Sequence, residues 1–367
     1  MSAATLSPPP PPPPSSIPGL TPAQLASFRE NGYLVIPNFL SSDEVSSLLQ
    51  TTHTLLNDFP LDSHPLTCFT TGDESDDDAD HCSTNNAKAK HIGDQYFLTS
   101  GNKIHFFFEP DAFIPNSSPP QLRKSKTLSI NKIGHALHVL SPPFAQATIP
   151  APPPHTSVST SPCPSTGARN AAIARDLGFR DPRVLQSMVI CKQPGIGAAV
   201  HPHKDSEFLY TDPPSAVGWW IALQDAGARN GTLGVWGGSH RRGYIRRRLV
   251  RCVGGGADGG TEFVQWDGTG LAGELVDSND DGNGRGEEEE PYVPRDEDFE
   301  LLEVPAGSLV LIHGNVLHQS ERNTSDISRF AYTFHVIEGA EGWKYDERNW
   351  LQPEPGEGFT RLYAQGY

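Results

Sequence analysis

GSLVLIHGNVLHQSERNTSDISRFAYTFHV, from Gly307 to Val336, holds two short runs rich in branched and aromatic residues, LVLIH and FAYTFHV, on either side of a polar turn region. Such runs, bounded by Gly, Asn, Asp or Pro, predict strands. VLQSMVICK from Val184, VGWWIAL from Val217 and LGVW from Leu233 have the same character. Helical patterning comes early in the chain and short strands come late. The expectation is therefore a mainly β fold with flanking helices, its core a closed or double-sheet barrel.

The helical part starts at Thr21. In TPAQLASFRENG, Thr21 is set to cap a helix, Pro22 suits the first helical position, Gln24 completes a capping box and Gly32 is a stop. Ser41 and Glu44 form a second capping box ahead of Val45, Leu48, Leu49, Leu55 and Leu56, which lie at helical spacing. Residues 1–18 are a proline-rich tail, expected to be disordered and polyproline-like, with at most weak docking to SH3- or WW-type modules. Residues 19–367 read as a single domain. Low-complexity insertions interrupt it near 71–90, 146–167 and 253–298, none with enough apolar content to build a core.

The net charge of −16 resides almost wholly in two tracts, Asp73–Asp80 and Asp277–Glu300, which contribute −6 and −9. The remainder is close to neutral, so no basic surface for nucleic acid is expected. Five cysteines stand scattered with no CxxC pair, which suggests neither a zinc knuckle nor a disulfide framework and fits a reducing compartment. The opening MSAATLSPPPPPPP has no basic or apolar segment of a secretory signal, no apolar run is long enough to span a membrane, and the final residues form no peroxisomal signal. A cytoplasmic protein that acts on a small molecule is expected.

The chemistry begins at HPHKDSEFLY, His201–Tyr210. On an extended segment the side-chain period of two puts His203 and Asp205 on one face. His201 shares that parity, so parity alone does not choose between the histidines; the spacing to Asp205 favours His203. A facial site of two histidines and one carboxylate leaves three positions open at a metal, which suits Fe(II) and oxygen chemistry. His318, in the stretch that opens this section, is the candidate second histidine. Arg329 follows eleven residues later on the next predicted strand, where it can grip the far carboxylate of a 2-oxo acid with two parallel hydrogen bonds. Ser320 can add a hydroxyl. The retained Asp205 also argues against a halogenase of this type, in which chloride takes the place of the carboxylate.

From about Leu20 to Tyr363 the chain resembles the phytanoyl-CoA dioxygenase family of Fe(II)/2-oxoglutarate oxygenases, in its branch of domain-containing members rather than the peroxisomal hydroxylase. The matching text is YFLTSGNKIHFFFE, SINKIGHALH, QSMVICKQP, PHKDSEFLYT, WIALQDA, NGTLGVWGGSH, LVLIHGNVLHQS, AYTFH and NWLQP. The resemblance implies a double-stranded β-helix, or jelly-roll. It implies His203, Asp205 and His318 as Fe(2+) ligands, with Arg329 and Ser320 on 2-oxoglutarate and Lys132, Met188 and Trp220 also around that cosubstrate. It implies hydroxylation of a small organic or acyl-type substrate with O2, coupled to decarboxylation of 2-oxoglutarate to succinate. The alternatives are a non-catalytic jelly-roll that binds metal or ligand, and a secondary-metabolite oxygenase. The chain departs from the family at Gly237-Gly238, where Pro-Gly is common, which should loosen a turn.

Other features allow two readings. His135, His138, His313 and His335 are expected in the barrel or behind the metal ligands. Trp219 and Trp220 could line a pocket or fill the barrel, with Trp220 favoured as a pocket wall; Trp236 is expected in the core. The six arginines between Arg241 and Arg251 could grip an anionic substrate or form a solvated basic face. DSNDDGNGRGEE, from Asp277, has calcium-loop offsets but no helix predicted on either side.

Overall fold

Two capping boxes start the N-terminal helices where the sequence places them. In the computed structural model, which describes residues 17–69, 94–151, 164–242, 245, 247–252, 260–265 and 294–363, Thr21 caps α1 (Pro22–Asn31) and Ser41 caps α2 (Ser42–Asp58), each with its reciprocal Gln24 or Glu44 contact. Gly32, at φ +76°, closes α1 in the left-handed region that glycine adopts without strain. Val45, Leu48, Thr52 and Leu56 form the buried face of α2. The other helices are α3 (Gln95–Leu98), α4 (Leu137–Leu140), α5 (Pro142–Thr148) and α6 (Thr166–Asp176).

The rest is sheet. The strands among the described residues are β1 (Tyr33–Ile36), β2 (Ile104–Phe108), β3 (Ile130–His135), β4 (Pro182–Ile190), β5 (Val200–His203), β6 (Thr211–Asp212), β7 (Val217–Ala222), β8 (Leu233–Val235), β9 (Arg247–Arg251), β10 (Thr261–Gln265), β11 (Glu300–Leu302), β12 (Leu309–His313), β13 (His318–Ser320), β14 (Ala331–Glu338), β15 (Lys344–Tyr345) and β16 (Thr360–Arg361). The large antiparallel sheet runs β1-β12-β7-β14-β4-β3-β2, with β16 also on β4; the small one runs β11-β8-β13-β5. From β4 onward the chain crosses repeatedly between them, so that β4, β7, β12 and β14 fall in one sheet and β5, β8, β11 and β13 in the other. That alternation makes the jelly-roll.

The large sheet is covered on both faces, and the period of two sorts its residues. Trp219 and Ile221 of β7, with Tyr332 and Phe334 of β14, join a core with Leu48, Leu56, Phe144 and Ile173 of the helices. Their neighbours Trp220, Ala222 and Ala331 turn the other way and meet Leu233, Val235 and Leu302 of the small sheet. Trp219 has no exposed surface and stacks on Phe334 at 5.4 Å, so burying such side chains contributes roughly 1.5–3 kcal/mol each. No helix among the described residues is long and apolar enough to cross a membrane.

Several expectations change. The insertion near 146–167 is shorter at both ends: Ala147 and Thr148 are buried in α5, and Ser165 caps α6. The stretch 253–298 contains a strand, because TEFVQ carries apolar residues that can pack; β10 pairs with β9 over five residues and Phe263 meets Phe208 edge-on at 5.5 Å. Trp236 is half-buried rather than in the core, with the Arg242 guanidinium 5.4 Å from its ring. Cys68 is disulfide-bonded, against the expectation of unpaired thiols, while Cys191 and Cys252 are free. The proline tract, the acidic insertion at 71–90 and the calcium-like loop at 277–288 lie outside the described residues.

Gly314 locks the crossing between the sheets. Its N–H donates to the Ala216 carbonyl at 2.7 Å and its carbonyl accepts from Ser206 N–H at 2.9 Å. A Cβ there would stand 2.4 Å from Ser206 Oγ and 2.5 Å from the Ala216 carbonyl oxygen. Overpacking of this kind typically costs about 1–3 kcal/mol. Gly314→Ala is accordingly expected to lower the urea midpoint measurably, and an unchanged midpoint would show that the crossing can relax.

Candidate active site

β5 ends at His203, and the chain then turns through the single 3₁₀ turn Asp205–Glu207 instead of continuing extended as the sequence reading supposed. The Asp205 carbonyl accepts from the N–H groups of Phe208 and Leu209, at 3.0 and 3.1 Å, which curls the turn. Asp205 nevertheless comes to lie against His203. Across the small sheet, β13 pairs with β5 so that His318 stands directly opposite His203. Asp205 Oδ1 lies 3.7 Å from Nε2 of each histidine, and one ligand atom from each residue falls within 4.8 Å of the others. This is the one such cluster found among the described residues.

The histidine tautomers suit a metal. His203 Nδ1 faces the His201 carbonyl at 2.9 Å and His318 Nδ1 faces the Val316 carbonyl at 3.2 Å. A carbonyl only accepts, so Nδ1 holds a proton and Nε2 is the nitrogen that faces Asp205 and is placed to serve a metal. His201 contributes its carbonyl and is not part of the cluster. Burial pushes the Asp205 carboxyl up, but His335, His318 and His203 outweigh it and hold it well below the usual carboxylate range. One carboxylate with two imidazole nitrogens is the donor set that fits Fe(II) and leaves coordination positions open.

Lys132, Met188, Trp220, Ser320 and Arg329 line the pocket that contains these ligands. They come from β3, β4, β7, β13 and the residue pair before β14, so the fold gathers them from far apart in the chain. Arg329 is 1 % exposed. Its Nη2 donates to the Gly231 carbonyl at 2.7 Å, while Nε and Nη1 are buried with no partner. Burial lowers Arg329 to about 10, with Glu109 and Cys191 acting the other way, so it stays charged at neutral pH. A buried guanidinium with two unsatisfied N–H groups is set up for a carboxylate. The Lys132 ammonium stands 3.3 Å from the centre of the Phe69 ring, and burial depresses it well below its ordinary value.

The arginine cluster behaves differently. Arg247 pairs with Glu207 at 3.0 Å, Arg248 is buried against Asp346 at 2.7 Å, and Arg251 donates to the Trp350 carbonyl at 2.6 Å. Those three are engaged within the fold, whereas Arg241 and Arg242 are exposed. His135, His138, His313 and His335 are all buried, as expected. Sequence reading did not bring forward Gln186 or Gly218, which line the pocket beside His335. A signal was present: Arg329, Ala331, Thr333 and His335 share one parity, opposite to the core residues Phe330, Tyr332, Phe334 and Val336.

Residues 28–331 match the family model described as phytanoyl-CoA dioxygenase. The chain belongs to the phytanoyl-CoA dioxygenase family. It is 38 % identical over 340 residues to the phytanoyl-CoA dioxygenase of Arabidopsis thaliana, covering 92 % of this chain and 96 % of that one. It is 39 % identical over 349 residues to phytanoyl-CoA dioxygenase domain-containing protein 1 of Bos taurus, covering 94 % and 99 %. Among solved structures it is similar to the apoform of EctD from S. alaskensis, with a TM-score of 0.49, 19 % identity and coverage of 94 % and 85 %. Family membership makes the protein a dioxygenase, an oxidoreductase, and its jelly-roll holds a donor set and a buried arginine that fit Fe(II) and 2-oxoglutarate.

Removal of one histidine leaves two donors on the triad. His203→Ala and His318→Ala are each expected to lose stoichiometric Fe(II) binding in anaerobic titration, while the metal-free circular dichroism stays that of the parent. Full stoichiometry in either variant would remove that residue from the metal centre.

Proposed function

We propose that the protein is an Fe(II)- and 2-oxoglutarate-dependent dioxygenase that hydroxylates a small organic or acyl-type substrate. In this reading His203, Asp205 and His318 hold the iron. Arg329 takes the distal carboxylate of 2-oxoglutarate with the N–H groups of its guanidinium, Ser320 adds its hydroxyl, and Lys132, Met188 and Trp220 enclose the cosubstrate. With both bound, the pair supplies the oxidising chemistry: one atom of O2 enters a substrate C–H bond and the other enters 2-oxoglutarate, which leaves as succinate and carbon dioxide.

The observation that carries the reading is the pairing of the ionised triad with Arg329 in one buried pocket. A cation in a dry wall with unsatisfied N–H groups is costly unless an anion completes it. Arg329 is also held in place: Nη2 is tied to Gly231, and the Trp220 ring centre lies 5.2 Å from the guanidinium carbon. The anchor is therefore ordered before any ligand arrives, which lowers the entropic cost of binding. The wall farther out is apolar, with Phe97, Phe208, Leu209, Leu249 and Trp350. It excludes water from the reacting centre and favours a substrate that presents hydrocarbon there.

Lysine cannot reproduce the arginine fork. Arg329→Lys is expected to raise the apparent constant for 2-oxoglutarate in succinate release by well over tenfold, in line with roughly 2–5 kcal/mol for truncating a buried charge pair. Fe(II) affinity should be nearly unchanged. Equal constants for the two proteins would place the cosubstrate carboxylate on another residue, with Lys132 the first to test.

A further inference from the structure

We infer that His335 is a positioning residue for the metal centre: its Nε2–H holds Asp205 Oδ2 in a notch made by Gly218, so that only Oδ1 of the carboxylate faces the iron site. The inference rests on the assignment of His203, Asp205 and His318 as metal ligands. Three separate observations support it.

The first is the division of labour between the carboxylate oxygens. Oδ1 is the atom near both histidine ligands, at 3.7 Å from each, whereas Oδ2 lies 3.3 Å from His335 Nε2 on the other side. The two oxygens thus face different partners. A carboxylate free to rotate could present both oxygens to a metal and occupy one of the positions that a facial triad leaves open. A hydrogen bond to Oδ2 opposes that rotation.

The second is the tautomer. Gln186 Nε2 lies 3.3 Å from His335 Nδ1. With the amide donating, Nδ1 accepts and the ring proton sits on Nε2, aimed at Asp205. In a neutral ring the opposite amide orientation would place the proton on Nδ1 and turn a lone pair towards the Asp205 carboxylate. A Gln186–His335–Asp205 chain of donors is therefore the arrangement that leaves no repulsive contact. Metal ligands are commonly fixed by second partners of this kind.

The third is Gly218. It is directly opposite His335 in the β7–β14 ladder, in a strand whose next two residues are Trp219 and Trp220. A Cβ at 218 would stand 3.2 Å from Asp205 Oδ2 and 3.6 Å from His335 Nε2. The missing side chain leaves the room in which imidazole and carboxylate meet. Thr333 and Arg329 share His335's parity on the same face, so one strand edge would serve both the cosubstrate anchor and the metal carboxylate.

The test is metal binding in the full-length chain, read by anaerobic Fe(II) titration and by the visible spectrum of the Co(II) form, for wild type, His335→Phe, His335→Gln and His203→Ala. His335→Phe keeps the ring without a donor, and is expected to bind Fe(II) about 10–100-fold more weakly with an altered Co(II) spectrum. His335→Gln places an amide N–H near the Nε2 position and should recover most of the affinity and the parent spectrum. Wild-type affinity and spectrum in His335→Phe, with binding lost in His203→Ala, would overturn the role of His335 and leave the triad standing. Intact binding in His203→Ala would overturn the triad, and this inference with it. If His335→Phe does not fold, His335→Asn decides: its amide is too short to reach Oδ2, and it must bind Fe(II) at least tenfold more weakly than His335→Gln or the inference fails.

Discussion

The antiparallel pairing of β5 with β13 places His318 opposite His203, and the site depends on that register. A slip of one residue in β13 would turn His318 to the other face of the sheet, away from His203, because side chains alternate. The register is fixed from two sides. β13 also pairs with β8, where His318 meets Val235, and the Gly314 crossing ties the end of β12 to Ser206 and Ala216. Asp205 then needs no strand of its own. Its turn brings the carboxylate to the two histidines, and the neighbouring imidazoles outweigh burial and hold its carboxyl well below the usual carboxylate range.

Charge in this barrel is arranged around groups that water cannot reach. Arg329 is buried close to Glu109, which accepts from Asn131 Nδ2 at 2.7 Å and from the Ala198 N–H at 3.1 Å. The Lys192 ammonium, buried in the same region, donates to the Ala198 carbonyl at 2.5 Å and the Ser320 carbonyl at 3.3 Å. Glu109 offsets part of the positive charge, yet two Arg329 nitrogens remain without acceptors. Open nitrogens on a guanidinium that is held in place in a pocket wall have the form of a binding site rather than of a packing defect.

The departure at Gly237-Gly238 is mild in structural terms. Gly238 adopts φ +77° and donates to the Asn31 carbonyl at 2.8 Å, so the position that requires glycine has it. Gly237 is exposed, and a Cβ there would meet only the Tyr33 ring, at 3.5 Å. The turn leads away from β8 towards the arginine-rich β9, whose charges are spent on holding the barrel mouth together.

Much of this was legible in the residues. The capping boxes at Thr21 and Ser41 and the branched and aromatic runs depend on local geometry, which the sequence carries directly; the strand parity expected of His203 and Asp205 does not, because Asp205 stands in a turn. The His-x-Asp, His-x-Ser and Arg spacings, with the family resemblance, brought forward His203, Asp205, His318 and Arg329, which the fold gathers around one pocket. Other features are set by residues far apart in the chain. TEFVQ is a strand because β9 lies beside it, and Trp236 stays half-buried beside Arg242. His335 reaches Asp205 because β14 runs alongside β7 and Gly218 leaves a gap there. The sequence by itself determined which side chains could act and on which face of a strand each would point. Only the tertiary structure decided which faces meet, because strand order and register arise from the packing of both sheets and the helices behind them, and no local pattern encodes that contact.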